Sequence, residues 1–153
     1  MDAMTVLRRC RASGADLEAL DVWIRQRRDA VTTITVNLDR AGGRGPASDR
    51  MASAAAEIAD MERQQRDRRE RQAVELVAVS LLAERLPPVQ GQVLYLYYGK
   101  GLTLRAVAKR VRYTEGYVRK LRREAEEALR QVPPGEVDEL LPAWYVKWSA
   151  QPT

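Results

Sequence analysis

Two short amphipathic segments joined by almost nothing constrain this chain most. Leu104, Val107, Ala108 and Val111 recur at helical spacing, and so do Val118, Leu121, Ala125, Ala128 and Leu129. Thr103 and Thr114 stand where each helix should start, with hydroxyls suited to cap a first turn. Leu102 with Val107, and Tyr113 with Val118, have the spacing of hydrophobic staples. Only Arg112-Tyr113 connects the two helices, so they must cross steeply. The segment 103–130 therefore predicts a helix-turn-helix, with the small Ala108 at the close approach.

The outer face of the second helix carries Glu115, Gly116, Tyr117, Arg119, Lys120, Arg122 and Arg123. A helix lying in the major groove offers its N-terminal residues to base edges. Glu115, Gly116, Tyr117, Arg119, Lys120 and Arg123 are accordingly the base-contact candidates. Arg119 and Lys120 suit guanine O6 and N7, and Tyr117 suits a thymine methyl or a phosphate. Gly116 costs a helix about 1 kcal/mol; close approach to a duplex and simple tolerance explain it equally well. Thr103, Arg105, Lys109, Arg110, Arg112, Thr114 and Arg122 are the phosphate candidates, which would position the domain and make binding salt-dependent. Glu124, Glu126 and Glu127 begin where the helix should leave the groove.

Charge is distributed accordingly. Arg and Lys total 26 against 21 Asp and Glu, a net +5. Residues 1–85 hold 15 basic and 14 acidic side chains, whereas residues 103–130 hold 9 and 4. An excess confined to so short a stretch favours a polyanionic partner, double-stranded DNA above all. A basic run alone fits a solvated helix face as well.

Other chemistries find few groups here. The chain has no histidine and one cysteine, Cys10, which leaves out the commonest general base and metal ligand and any intrachain disulfide. Gly99-Lys100-Gly101 lacks the preceding strand and third glycine of a phosphate loop. No enzyme activity, metal or cofactor is expected. No apolar run has bilayer-spanning length and the first residues lack a signal-peptide pattern, so a soluble cytoplasmic protein without membrane contact is expected.

The whole chain reads as all-α. Residues 1–85 predict a long antiparallel helical hairpin. Cys10, Leu17, Ile24, Val31 and Leu38 recur every seven residues over a helix at 4–39, with Leu20 and Ile34 on a second seam that Arg27 interrupts. Ser13-Gly14 is a candidate kink, and Ser13 or Asp16 a candidate start for the longer segment. The stretch 41–49 is a loop, since Gly42, Gly43, Gly45 and Pro46 do not continue a helix, and Ser48 or Asp49 can cap the next one. A second helix over 50–85 places Met51, Ile58 and Val79 on one seam and Ala54, Met61 and Leu82 on the other. Its middle, 62–72, has no apolar residue and offers Glu62/Arg66 and Asp67/Arg71 as i,i+4 pairs. Folded back, the hairpin sets Leu38 and Ile34 near Met51 and Ala55, and Leu7 and Cys10 near Val77 and Leu81. Two helices bury little, so self-association, a dimer foremost, or docking on the second domain should cover them. Cys10 and Trp23 read as packing residues.

Pro87-Pro88 separates the hairpin from a helix-turn-helix domain at 86–131. A helix over 88–98 opens that domain and ends at Gly99, in the left-handed C-cap conformation. Residues 132–153 form an aromatic tail with Leu140, Leu141, Trp144, Tyr145, Val146 and Trp148. Its rings either pack back on the protein's own helices or bind a partner.

The segment 86–129, LPPVQGQVLYLYYGKGLTLRAVAKRVRYTEGYVRKLRREAEEAL, resembles region four of bacterial sigma factors. It is most similar to the variant in RinA/ArpU-like phage transcription activators. The shared features are the Leu-Pro entry, Val93-Leu94 before Tyr97-Tyr98, Gly101, the Ala106-Val107-Ala108 core, Tyr113-Thr114, Val118 and Leu121. The long helical hairpin ahead of the domain is also similar. Where the family's turn has Leu-Gly, this chain has Val111-Arg112. The resemblance implies activation of phage late genes through a promoter site and contact with host RNA polymerase. A phage small terminase subunit, which assembles into rings, and a polymerase-binding module that leaves DNA alone are the competing expectations. A complete sigma factor would need a melting domain rich in exposed aromatics, and Trp23 is the one aromatic in the first 85 residues.

Overall fold

The computed structural model describes residues 1–41 and 46–152. Among them every regular element is helical, as the patterning predicts. Two long helices, α1 (Ala3–Ala41) and α2 (Pro46–Ala83), are followed by α3 (Pro88–Leu94), which runs into a π-helical turn at Tyr95–Gly99. Then come α4 (Leu104–Val111), α5 (Glu115–Arg130), α6 (Pro134–Glu139) and α7 (Ala143–Ser149). The chain forms two compact units, one of residues 16–69 and one of residues 1–15 with 70–153.

In the unit 16–69 the two helices run antiparallel, because contacts on α1 advance as those on α2 retreat. Asp16 pairs with Arg68 at 3.4 Å, Gln65 donates to Asp21 at 3.3 Å, Arg28 pairs with Glu62, and Thr35 meets the Met51 sulfur at 3.4 Å. The polar stretch of α2 is thus bonded across to α1, and Glu62 pairs with Arg28 rather than with Arg66. Arg27, the break in the seam, bonds Glu57 at 3.2 Å and lies over the Trp23 ring. Among the described residues of this unit only Ile24 and Gln65 are buried, and Val22, Trp23 and Val36 are exposed. This is the thin core that two helices must give.

Two boundaries differ from expectation. α1 passes unbroken through Ser13-Gly14. Gly14 lets Gln72 approach, since a Cβ there would lie 3.1 Å from its amide nitrogen, and Ser13 donates to Glu75 at 3.0 Å. α2 begins at Pro46, so Ser48 and Asp49 lie inside its first turn rather than capping it; proline suits that position because its missing N–H has no partner there anyway. Gly42, Gly43, Gly45 and the Leu38 side chain lie outside the described residues.

The other unit has two adjoining cores. One gathers Leu7 and Cys10 of α1 with Val79 and Leu82 of α2, Leu129 of α5 and Tyr145 of α7. Val79 and Leu82 face inward as their seams require, beside Ala78, whereas Val77 and Leu81, the expected neighbours of Leu7 and Cys10, are 57% and 37% exposed. Each residue turns a helix by about 100°, so a position next to a buried one points elsewhere. Burial pushes the Cys10 thiol up to about 12, so Cys10 is a core residue with little thiolate. Residues 134–149 fold back as two short helices that bury Val137, Leu141 and Tyr145. The second core joins Val93, Leu96, Val107, Ala108, Val118 and Leu121. It holds α3, α4 and α5 in one arrangement.

Candidate nucleic-acid interface

Local chemistry sets the entry to this second core. Pro87 and Pro88 start α3, and Gly91 lets its backbone meet the end of α2, since a Cβ would sit 2.5 Å from the Ala83 carbonyl oxygen. The left-handed residue after the π turn is Gly101 (φ 71°), not Gly99; Lys100 ends the turn in right-handed geometry. Gly99 is needed for room instead, because a Cβ would press Leu76 and Tyr95 at 3.0–3.2 Å.

Both expected caps are in place. Thr103 Oγ1 accepts from the Ala106 N–H and Thr114 Oγ1 from the Tyr117 N–H, each at 3.2 Å. Each satisfies a donor that a helix start would otherwise leave open. Leu102 and Val107 meet in the second core, as a staple requires. Tyr113 does not staple Val118; it is exposed and its ring meets Tyr117 at 5.0 Å. Arg112 takes the left-handed conformation (φ 63°, ψ 42°), and the Tyr113 N–H reaches back to the Ala108 carbonyl at 3.2 Å. Arginine therefore does here what glycine does without strain. On α5 the inner stripe is Val118, Leu121, Ala125 and Leu129, whereas Ala128 is exposed.

This frame sets the outer side of α5. All the candidates but Arg122 are exposed: Thr103, Arg105, Lys109, Arg110, Arg112, Thr114, Glu115, Gly116, Tyr117, Arg119, Lys120 and Arg123. Arg119 lies 3.5 Å from Glu115 and Lys120 3.9 Å from Glu124. Such exposed pairs are worth a few tenths of a kcal/mol, so both cations can exchange them for a phosphate or base. Among the described residues Arg105, Lys109, Arg110, Arg112 and Arg123 make no ion pair. A Cβ at Gly116 would meet nothing within 4 Å, so its lack of a side chain serves no packing within this protein.

Arg122 is placed differently from its sequence expectation. Its side chain is 21% exposed, its guanidinium lies 4.7 Å from the Tyr97 ring centre, and its Nε is 3.4 Å from Glu126. It is held against the protein rather than extended to solvent. Glu126 also accepts from the Tyr98 hydroxyl; burial, and then that acceptor, raises the phenol above its ordinary value. Glu126 stands at i,i+4 from Arg122, but Tyr97 and Tyr98 lie more than twenty positions from the helix residues they meet, so no local spacing announces them. No group of three or more His, Cys, Asp or Glu among the described residues is arranged to hold a metal ion, and none of their helices is long and apolar enough to cross a membrane.

Comparison with known proteins agrees with this geometry. Residues 82–131 match the family Sigma-70, region 4. No curated protein and no solved structure matches the chain. The family match spans α3, the π turn, α4 and α5, and leaves most of the two long helices outside. Residues 82–131 are a sigma-70 region 4 domain of helix-turn-helix type.

Proposed function

We propose that this protein is a sequence-specific DNA-binding transcription regulator that activates phage late genes and contacts bacterial RNA polymerase, working in the host cytoplasm. The observation that carries the proposal is the exposed cationic side of α5 beginning at the Thr114 cap, within a sigma-70 region 4 domain. In this reading Glu115, Gly116, Tyr117, Arg119, Lys120 and Arg123 meet base edges in the major groove. Thr103, Arg105, Lys109, Arg110, Arg112 and Thr114 meet phosphates on either side. Arg122 acts by holding α5 in place through Tyr97 and Glu126. The long helices mediate self-association into a dimer, a role supported by the exposed Val22, Trp23 and Val36. Catalysis has no part in the mechanism, and no cofactor is invoked.

Selection of bound duplexes from a random library, followed by footprinting and transcription with purified bacterial RNA polymerase, tests the proposal. The expected result is one enriched motif, one protected site and more transcript from a promoter carrying it. Enrichment of no motif by folded protein would overturn it. So would rings of many copies in native mass spectrometry, which mark a packaging subunit, or polymerase binding without duplex binding.

A further inference from the structure

Beside the outer face of α5 lies an open cleft of about 510 Å³ that the helix-turn-helix reading does not use. Arg8, Arg11, Ala12 and Ala15 of α1 line one side, and Tyr97, Tyr98, Arg122 and Glu126 line the other. Its charge is unbalanced. Three guanidiniums face one carboxylate, and Glu126 is already engaged by Arg122 and the Tyr98 hydroxyl. Among the described residues neither Arg8 nor Arg11 has a carboxylate within ion-pair distance. Arg11 is fixed nonetheless: its Nη1 donates to the Tyr97 and Leu102 carbonyls, and its guanidinium lies 3.9 Å from the Tyr97 ring centre. Arg122 Nε is buried 3.4 Å from Glu126, an ion pair without hydrogen-bond geometry. The cationic excess beside that pair, Arg8 and Arg11 without a carboxylate of their own, makes the cleft a site for an anion.

The position of the cleft selects the anion. Arg122 follows Arg119 by three residues, so it borders the same side of α5. Glu126 lies one turn further on. The first turns of such a helix face the groove, and the sugar-phosphate strand bounding that groove passes its later turns. The geometry points to this cleft as a second phosphate site, in which Arg8, with Arg11 and Arg122 behind it, grips the duplex backbone next to the recognised bases. The N-terminal turns of α1 thereby join the DNA-binding surface. This inference rests on the proposed function.

Its test uses the full chain and a labelled mixed-sequence duplex of about 30 base pairs, since phosphate contacts are blind to sequence. Arg8→Gln and Ala12→Glu change exposed helical positions, and circular dichroism checks that the fold is kept. Arg8→Gln should lower affinity on every sequence and reduce the slope of log K against log salt by about one. Ala12→Glu should weaken binding further, and Ala12→Lys should strengthen it. Unchanged affinity and slope in all three, with Arg119→Ala plus Lys120→Ala still weakening binding to the selected duplex, would remove the cleft and leave the recognition helix standing. Thermal protection by millimolar inorganic phosphate or ATP that Arg8→Gln abolishes, with duplex binding unaltered, would assign the cleft to a soluble anion and overturn the proposal. Wild-type protein that binds no duplex would end the functional reading and the cleft together.

Discussion

The hydroxyl of Tyr145 donates to the carboxylate of Glu75 at 2.9 Å, joining the C-terminal helix α7 to α2 inside the core. Ser13 donates to the same carboxylate at 3.0 Å, and Arg9 and Arg71 lower its proton affinity from nearby. Both arginines also lie over the Trp148 ring, at 5.8 and 4.5 Å. This one acid therefore ties residues 134–149 to the first turns of the chain.

Burial outweighs these partners and raises the Glu75 carboxyl above its ordinary 4.5. Between 4.5 and the raised value the folded protein holds a proton that the unfolded chain has released. By linkage, this group's contribution to stability falls as pH rises from 4.5 through the raised value. Glu75→Gln keeps an acceptor for Tyr145 and Ser13 and should flatten that dependence in urea unfolding measured across pH. Tyr145→Phe removes a donor to a buried group and should cost about 1–3 kcal/mol. An unaltered pH profile in Glu75→Gln would mean that the carboxyl is solvated.

Arg112 has a left-handed backbone that an L side chain adopts at a cost. Arg112→Gly should raise stability by about 1 kcal/mol, measured by chemical unfolding. The same change should weaken duplex binding and lower the salt slope by about one, because a phosphate cation is lost. Greater stability with full affinity would remove Arg112 from the contact surface.

Gly116 stands on α5 with open space where a Cβ would go. Gly116→Ala should stabilise the helix by about 1 kcal/mol. If the N-terminal turns of α5 enter the groove, the added methyl should also weaken duplex binding. A gain in stability with undiminished affinity identifies a tolerated glycine instead.

Local features of the fold were legible in the sequence, and distant ones were not. Thr103, Thr114 and the apolar period of α4 and α5 act within one or two turns, so the helix-turn-helix is legible in the sequence itself. The antiparallel pairing of the long helices followed from the seven-residue seam. So did the inward placement of Val79 and Leu82; the outward turn of Val77 and Leu81 did not, because they are as apolar as their buried neighbours and only the surrounding packing chooses between them. Gly99 and Gly101 were exchanged for a similar reason: the π turn carries the helix further than an α-helical pattern suggests. Glu75 and Tyr145 lie 70 positions apart, and Arg11 reaches Tyr97 over 86. Neither contact leaves a mark at short range. Among the candidate site residues the outward placement of Arg119, Lys120 and Arg123 followed from helical geometry. Arg122, at the edge of the face, is held inward between Glu126, one turn along α5, and Tyr97, which local spacing does not bring near it.

The most direct test of the account is the affinity of the Arg119→Ala plus Lys120→Ala protein for the selected duplex, beside wild type at one salt concentration. With helicity unchanged by circular dichroism, the loss should be about 2–5 kcal/mol, the size expected for two base-edge contacts. Equal affinity in the two proteins would contradict a DNA-reading role for α5.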